Sequence, residues 1–523
     1  MLGGHVMEYH DSYTKELFDV LFKGEKKELP RTIVEEIKDL YNTAVSKELL
    51  SPIVELFKKL LSFAEKDNIS PLSFNLSKDD LNALAKKHEQ IDEHHVTIGG
   101  RVLRALKIVD EANERIKFYM ENKDRIAPSG IELWDQILEN KERIKKALNI
   151  SEEEFNTYQG QIKNAIQDVE TLSKVLKLPE KAFSDILRVT KKYRMRLTPY
   201  YASLIMPNKL DDPVLIQCVP TGEMVDNVGI EIPPVAADHS PARLIDQFYP
   251  RVLTIKSTNM CAMYCTHCLR IAHIGKKDRI YKKEAYEEAI DYIRKNENIR
   301  DVLITGGDAF ILPNKLIKWI LEELDKIDHV KMKRLGTRIP VTTPQRIDNE
   351  LLDILEESND KKPVRVVTQI NTPQEITPVS KKAFKNISKR VMAVLNQAVL
   401  LKGVNDSKEK MWKLCEVIQE AYVRPYYIFN CSFRNPQFAH LRVPIEVGQD
   451  IVEGMYGNIS GDAIPRYIAT AGGKVPLHRS NIVGRDNGNI ILKKPWSGEE
   501  VKYPDADEKE YKNREFSFFK YKE

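Results

Sequence analysis

Apolar residues recur every three or four positions from about Leu17 to Tyr193, as in Ile33, Ile37, Leu40 and again Ile53, Leu56, Leu60. That period predicts a region built almost wholly of helices. Helix-start signals support it: Ser51 before Pro52, Ser77 with Asp80 three residues on, and Ser151 with Glu154, the last spaced as a capping box. From Leu197 to Pro250 the pattern breaks into short apolar runs and prolines and reads as an irregular connection. Beyond it, β-rich runs at 251–257, 301–305, 330–336, 363–370, 391–400 and 423–430 are separated by helical patterns such as Lys283–Arg294, Lys315–Ile327 and Lys408–Tyr422. Six strands alternating with helices predict parallel βα units. The expected fold is therefore α/β, a partial (β/α)6 barrel with chemistry at the C-terminal strand ends and an added N-terminal all-helical module. The expected division is a helical extension over 1–149, a helical and connecting region over 150–240, the barrel over 241–500 and a tail over 501–523.

Composition narrows the function. The 523 residues contain no apolar run of the roughly 18 residues that a spanning helix needs. The first residues lack the basic-then-apolar order of a secretory signal, so a cytoplasmic protein is expected. Eighty-one basic residues against 77 acidic ones leave a charge of +4, too small to imply a nucleic acid partner. Six cysteines are too few for a disulfide scaffold, but three of them fall within eight residues, which suggests metal.

Those three are Cys261-Ala-Met-Tyr-Cys265-Thr-His-Cys268, in the loop after the first predicted strand. Three thiolates can hold a [4Fe-4S] cubane and leave one iron open to chelate S-adenosylmethionine (SAM) and drive radical cleavage. The alternatives are a zinc site or plain core cysteines; structural zinc takes four ligands, usually as two separated pairs, and His267 between two cysteines is poorly placed as the fourth. After the next strand comes Gly306-Gly307-Asp308, where glycines permit close backbone approach and the carboxylate could accept an ammonium group such as that of SAM. Near the end of the barrel lies Ala471-Gly472-Gly473-Lys474. A lysine in a glycine-flanked loop can form a Schiff base with a carbonyl cofactor, although most lysines are surface residues.

With Leu197-Thr-Pro-Tyr-Tyr201, Asp238-His-Ser-Pro241, Pro344-Gln-Arg-Ile347, Leu395 to Leu401 through Gly403-Val-Asn-Asp406, and Arg424-Pro-Tyr-Tyr427, these motifs resemble the lysine 2,3-aminomutase family from about residue 150 to 500. The resemblance implies radical SAM enzymes that also use pyridoxal 5′-phosphate (PLP), with Lys474 carrying PLP and Arg270 holding the substrate α-carboxylate. It implies Arg251 as a phosphate ligand of PLP; a second phosphate arginine has no counterpart, Gln247 or Phe248 standing near its place. Gln369 and Gln397 fall beside the cofactors, Gln369 where a histidine is usual. The implied reaction abstracts a β-hydrogen and moves the α-amino group to the β-carbon. An electron donor of the flavodoxin or ferredoxin type and a homo-oligomer are implied too.

The lysine enzyme grips the distal ammonium of its substrate with two aspartates, which align here with Ser432 and, across a gap in a shortened loop, Thr470. Neither neutralises a charge, and a buried unpaired ammonium costs several kcal/mol. L-lysine is disfavoured unless another carboxylate such as Asp462 substitutes. Arg434, Arg466 or Arg479 could serve an acidic side chain, and hydroxyls alone a neutral one. Ser407, where the lysine enzyme has a zinc cysteine, predicts no zinc; Cys218, Cys415 and Cys431 are expected to be buried or inert. The rival readings are decarboxylation or elimination with the same cofactors, or a degenerate relative that no longer turns over.

Overall fold

The computed structural model describes residues 98–513, apart from 177, 208, 228–238 and 276. The helices expected around Ile33 and Ile53, and Asp238, lie outside the described residues. The chain divides into two compact units, Met1–Phe118 and Tyr119–Glu523; all that follows concerns the second. None of the described helices is long and apolar enough to cross a membrane.

Among the described residues the large sheet has nine strands in sequence order: β1 Ile245–Asp246, β2 Val252–Thr258, β3 Asp301–Gly306, β4 Met332–Gly336, β5 Val364–Thr368, β6 Ala393–Leu400, β7 Arg424–Asn430, β8 Arg466–Thr470 and β9 Lys474–Pro476. All six strands read from the sequence are present. β2 to β8 run parallel, making seven parallel strands rather than six. The seventh, Arg466-Tyr-Ile-Ala-Thr470, buries only its three central residues and is too short to signal itself in the sequence. β1 and β9 add antiparallel edges, and β9 is a hairpin return from β8. A second, three-stranded antiparallel sheet (β10 Ile482–Asp486, β11 Asn489–Lys493, β12 Glu500–Pro504) extends into the residues read as a tail.

Amphipathic helices cover the large sheet. Lys283–Lys295 buries Ala285, Tyr286, Ala289, Ile290 and Ile293, and Asn314–Asp325 buries Ile317, Ile320, Leu321 and Leu324. Such spacing puts one stripe of each helix on the core, each large side chain contributing about 1.5–3 kcal/mol. Ahead of the sheet, the expected capping box forms: Ser151 Oγ accepts the Glu154 N–H, and Glu154 accepts the Ser151 N–H, at the start of helix Glu152–Asn156. The helices Trp134–Leu148, Val169–Leu176 and Glu180–Thr190 build an apolar core with Tyr200, Tyr201 and Leu204, and Met263 of the cysteine loop is part of it. The segment read as an irregular connection is thus the support under that loop.

Candidate active site

The cysteine loop leaves the C-terminal end of β2 and is held from the preceding region. The Tyr264 N–H donates to the Arg196 carbonyl at 3.1 Å, the Thr266 N–H to the Gln217 carbonyl at 2.9 Å, and the Thr266 hydroxyl to the Ile216 carbonyl at 2.8 Å. Arg196 returns a bond to the Cys261 carbonyl at 3.1 Å. Burial raises the Cys261 and Cys268 thiols, Cys268 to about 12, and each feels its cysteine neighbours. Thiols that repel one another as anions in a desolvated loop are what a cationic metal centre compensates. Among the described residues no set of three or more His, Cys, Asp or Glu converges as the ligands of one ion do. Three cysteines on one loop, held by backbone bonds from the preceding region, suit the three protein ligands of an open-iron cluster.

Gly306 and Gly307 bring β3 against this loop. Gly306 has φ +116°, and a Cβ on Gly307 would stand 2.0 Å from the Met260 carbonyl oxygen. The Gly307 N–H donates to the Thr258 carbonyl at 2.5 Å and the Asp308 N–H to the Met260 carbonyl at 2.8 Å. The Asp308 carboxylate is already engaged, accepting from the Phe310 N–H at 2.9 Å and the Arg338 N–H at 2.6 Å. Its observed contacts are therefore with the protein's own turns.

Arg270 follows the third cysteine, and its Nη1 is sealed from solvent without a partner. Burial lowers its pKa, while Asp246, Cys268 and Cys261 oppose that shift. Such a nitrogen suits an incoming carboxylate. Asn435, just beyond β7, donates to the Cys268 and Leu269 carbonyls at 3.5 and 3.3 Å, and so ties the loop carrying Ser432 and Arg434 to the backbone before Arg270. Ser432 is half-buried and accepts the Arg434 N–H at 3.2 Å. Arg434 is exposed and, among the described residues, makes no ion pair; Arg479 is committed to Glu453 and Asp450. Arg466 is exposed and lies over the Tyr426 ring at 5.9 Å. Asp462 is exposed and bonded by Ser460.

Lys474 opens β9 opposite Thr470, whose side chain is exposed. Its Nζ lies 5.0 Å from the Tyr427 ring centre and 5.9 Å from that of Tyr249. Burial, followed by the Arg334 cation, lowers its pKa, with Tyr427 and Asp301 opposing. Tyr249 precedes β2 and Tyr427 lies on β7, so rings from both sides of the parallel run approach the Lys474 amine. Gly472 and Gly473, at φ +72° and +151°, make the hairpin turn, and a Cβ on Gly473 would meet the Trp496 ring at 2.6 Å. A desolvated amine between two phenol rings fits a Schiff-base lysine.

The remaining expected residues are placed as follows. Arg251 is exposed, next to the residues leading into β2. Gln247 accepts from the Tyr292 hydroxyl at 2.8 Å and Phe248 packs on His239 at 4.2 Å, so neither supplies a charge. Gln369 meets His267 Nε2 at 3.1 Å, and Gln397 sits at a bulge of β6 opposite Tyr427. His267 is held down to about 3, chiefly by burial and then by Arg338. Cys218, Cys415 and Cys431 are buried, and Ser407 caps helix Lys408–Glu420.

Residues 255–415 match the radical SAM superfamily. A glutamate 2,3-aminomutase of Clostridioides difficile is 38% identical over 405 residues, covering 77% of this chain and 94% of that protein. L-lysine 2,3-aminomutases of Clostridium subterminale and Methanococcus maripaludis are 35% and 38% identical over 350 and 354 residues, 66% of this chain in each case and 83% and 81% of theirs. The chain belongs to the lysine 2,3-aminomutase family. It is an isomerase of the radical SAM class, and this family works with a [4Fe-4S] cluster, SAM and PLP.

Within that aminomutase frame, several residues had no sequence signal. Arg338, Glu375, Asn371 and Gln217 form a buried polar network beneath the cysteine loop, and Arg334 pairs with Asp301 at 2.6 Å close to Lys474. An arginine or glutamate within a strand-turn pattern reads as surface until its partner, far along the chain, is known.

Proposed function

We propose that this protein is a PLP-dependent radical SAM 2,3-aminomutase that moves the α-amino group of an acidic amino acid, of the glutamate class, to its β-carbon. The observation that carries the reading is the association, through Asn435, of Arg270 with its buried unbonded Nη1 and a loop that offers Ser432 and Arg434, the latter without an ion pair among the described residues. Its relation to a glutamate 2,3-aminomutase over 94% of that protein agrees with this.

In this reading Cys261, Cys265 and Cys268 hold the cluster, and Gly306, Gly307 and Asp308 shape the SAM pocket beside it. Arg270 takes the α-carboxylate with its planar fork, and Arg434 the distal one. Lys474 holds PLP, with Arg251 near its phosphate and Gln369 and Gln397 beside the cofactors. When bound, these groups supply the radical and a conjugated handle that stabilises it. The protein's own part is to orient the β-carbon and exclude water around the buried Arg270 and Lys474. We further propose that the sheet curls into a partial barrel; the approach of Lys474 on the last strand to Tyr249 just before β2 supports it. The domain limits of 1–149, 150–240, 241–500 and 501–523, a cytoplasmic location, a flavodoxin or ferredoxin donor and a homo-oligomer belong to the same proposal.

The test is anaerobic incubation of reconstituted protein with dithionite, SAM, PLP and single amino acids, followed by mass spectrometry of derivatised products. A β-isomer of glutamate or aspartate is expected. A β-isomer of lysine would overturn the substrate assignment, and SAM cleavage without any isomer would overturn the mutase assignment.

A further inference from the structure

Arg338 stands just beyond β4 and makes a bond that the reaction described above does not use. Its Nη1 donates to Cys265 Sγ at 2.8 Å. Its Nη2 pairs with Glu375 Oε1 at 2.6 Å and also reaches Gln217 Oε1 at 3.1 Å and the Tyr201 hydroxyl at 3.3 Å. Glu375 is fully buried; its Oε1 accepts the Tyr201 hydroxyl at 2.8 Å, and its Oε2 accepts the N–H groups of Asn371 and Thr372 at 2.8 and 3.1 Å. The Arg338 backbone is pinned as well, its N–H donating to Asp308. A guanidinium clamped on one edge by a buried carboxylate has a fixed aim, and here the other edge points at a sulfur.

We propose that Arg338 raises the reduction potential of the iron-sulfur cluster through its hydrogen bond to Cys265, while Glu375 limits the positive charge that reaches the cluster. The inference rests on Cys265 being a cluster ligand. One-electron reduction, supplied by a donor of the flavodoxin or ferredoxin class, adds negative charge that is shared with the ligating sulfurs. No bond is made or broken in that step. A donor on a ligating sulfur favours the electron-richer state, and hydrogen bonds to the sulfurs, net charge and exposure are the protein's means of setting such potentials. Arg338 is in this sense a tuning residue, acting through Cys265 rather than on the substrate.

The test is a redox titration of the anaerobically reconstituted protein, without substrate, followed by electron paramagnetic resonance. In Arg338→Gln/Glu375→Gln, which leaves no unpaired buried carboxylate, the reduction equilibrium should fall about tenfold, a shift of about 59 mV to lower potential for one electron. In Glu375→Gln the uncompensated guanidinium should move the midpoint the other way, a change of sign that loss of mere structural support does not produce. Should the double variant lose its iron, the Glu375→Gln arm decides alone, and an unchanged or lower midpoint there overturns the proposal. Cys265→Ala separates the two levels. A complete four-iron cluster in that variant sinks the ligand reading itself, whereas its loss together with unshifted midpoints in the other variants sinks only the role of Arg338.

Discussion

The Nζ of Lys474 lies 5.0 Å from the centre of the Tyr427 ring, on a strand two positions away in the sheet. Burial and the Arg334 cation hold the amine below the ordinary lysine range. Between its depressed value and about 10.4, the unfolded chain binds more protons at this site than the folded one. Stability from this group therefore rises with pH through that window and is diminished below it. Lys474→Met should make the PLP-free protein more stable near neutrality and flatten its stability profile on the alkaline side, in denaturant unfolding at a series of pH values. The same variant should lose the visible absorption of the Schiff base and all mutase activity. Profiles of equal slope would contradict the pH assignment.

Arg270 keeps a buried nitrogen free of partners. Arg270→Lys retains the charge but not the fork, and kcat/KM for the amino acid should drop roughly 100-fold, in line with the loss of a buried charged contact. Circular dichroism should be unchanged. A loss confined to kcat at saturating substrate would speak against carboxylate binding.

Gly307→Ala places a methyl group 2.0 Å from the Met260 carbonyl oxygen, backbone against backbone. The cysteine loop must then move away from β3. The expected result is less iron per chain after reconstitution and a lower melting temperature; full iron loading would show that the close approach is dispensable.

Gly473→Ala meets the Trp496 ring at 2.6 Å and also a φ of +151°. Overpacking and backbone strain each cost about 1–3 kcal/mol. Trp496→Ala should restore the part due to the ring but not the part due to the backbone. Melting temperatures of the two single variants and the double variant measure the split, and PLP absorbance reports whether Lys474 has moved.

How far the sequence reached differs along the chain. The six strands after residue 250 were legible because each carries several buried apolar residues, as Leu253 and Ile255 do on β2 and Val302 and Ile304 on β3. β8 and β9 were not, because Arg466–Thr470 has only Tyr467, Ile468 and Ala469 between polar ends and Lys474–Pro476 is three residues long. Cys261, Cys265 and Cys268 announce themselves by spacing alone. Lys474 needed family resemblance, since the surroundings that set it apart, Tyr249, Tyr427 and Arg334, come from three other parts of the chain. Arg338 and Glu375 were invisible for the same reason: 37 residues apart, they become a pair only in three dimensions.

The order of strands in the large sheet follows the order of synthesis, with the cysteine loop after its first parallel strand and Lys474 on its last strand. A chain leaving the ribosome therefore carries all three thiols of the motif some two hundred residues before Lys474 is added. On the proposed roles of these residues, a chain cut off before residue 466 keeps its cysteine loop but lacks the lysine proposed to hold pyridoxal.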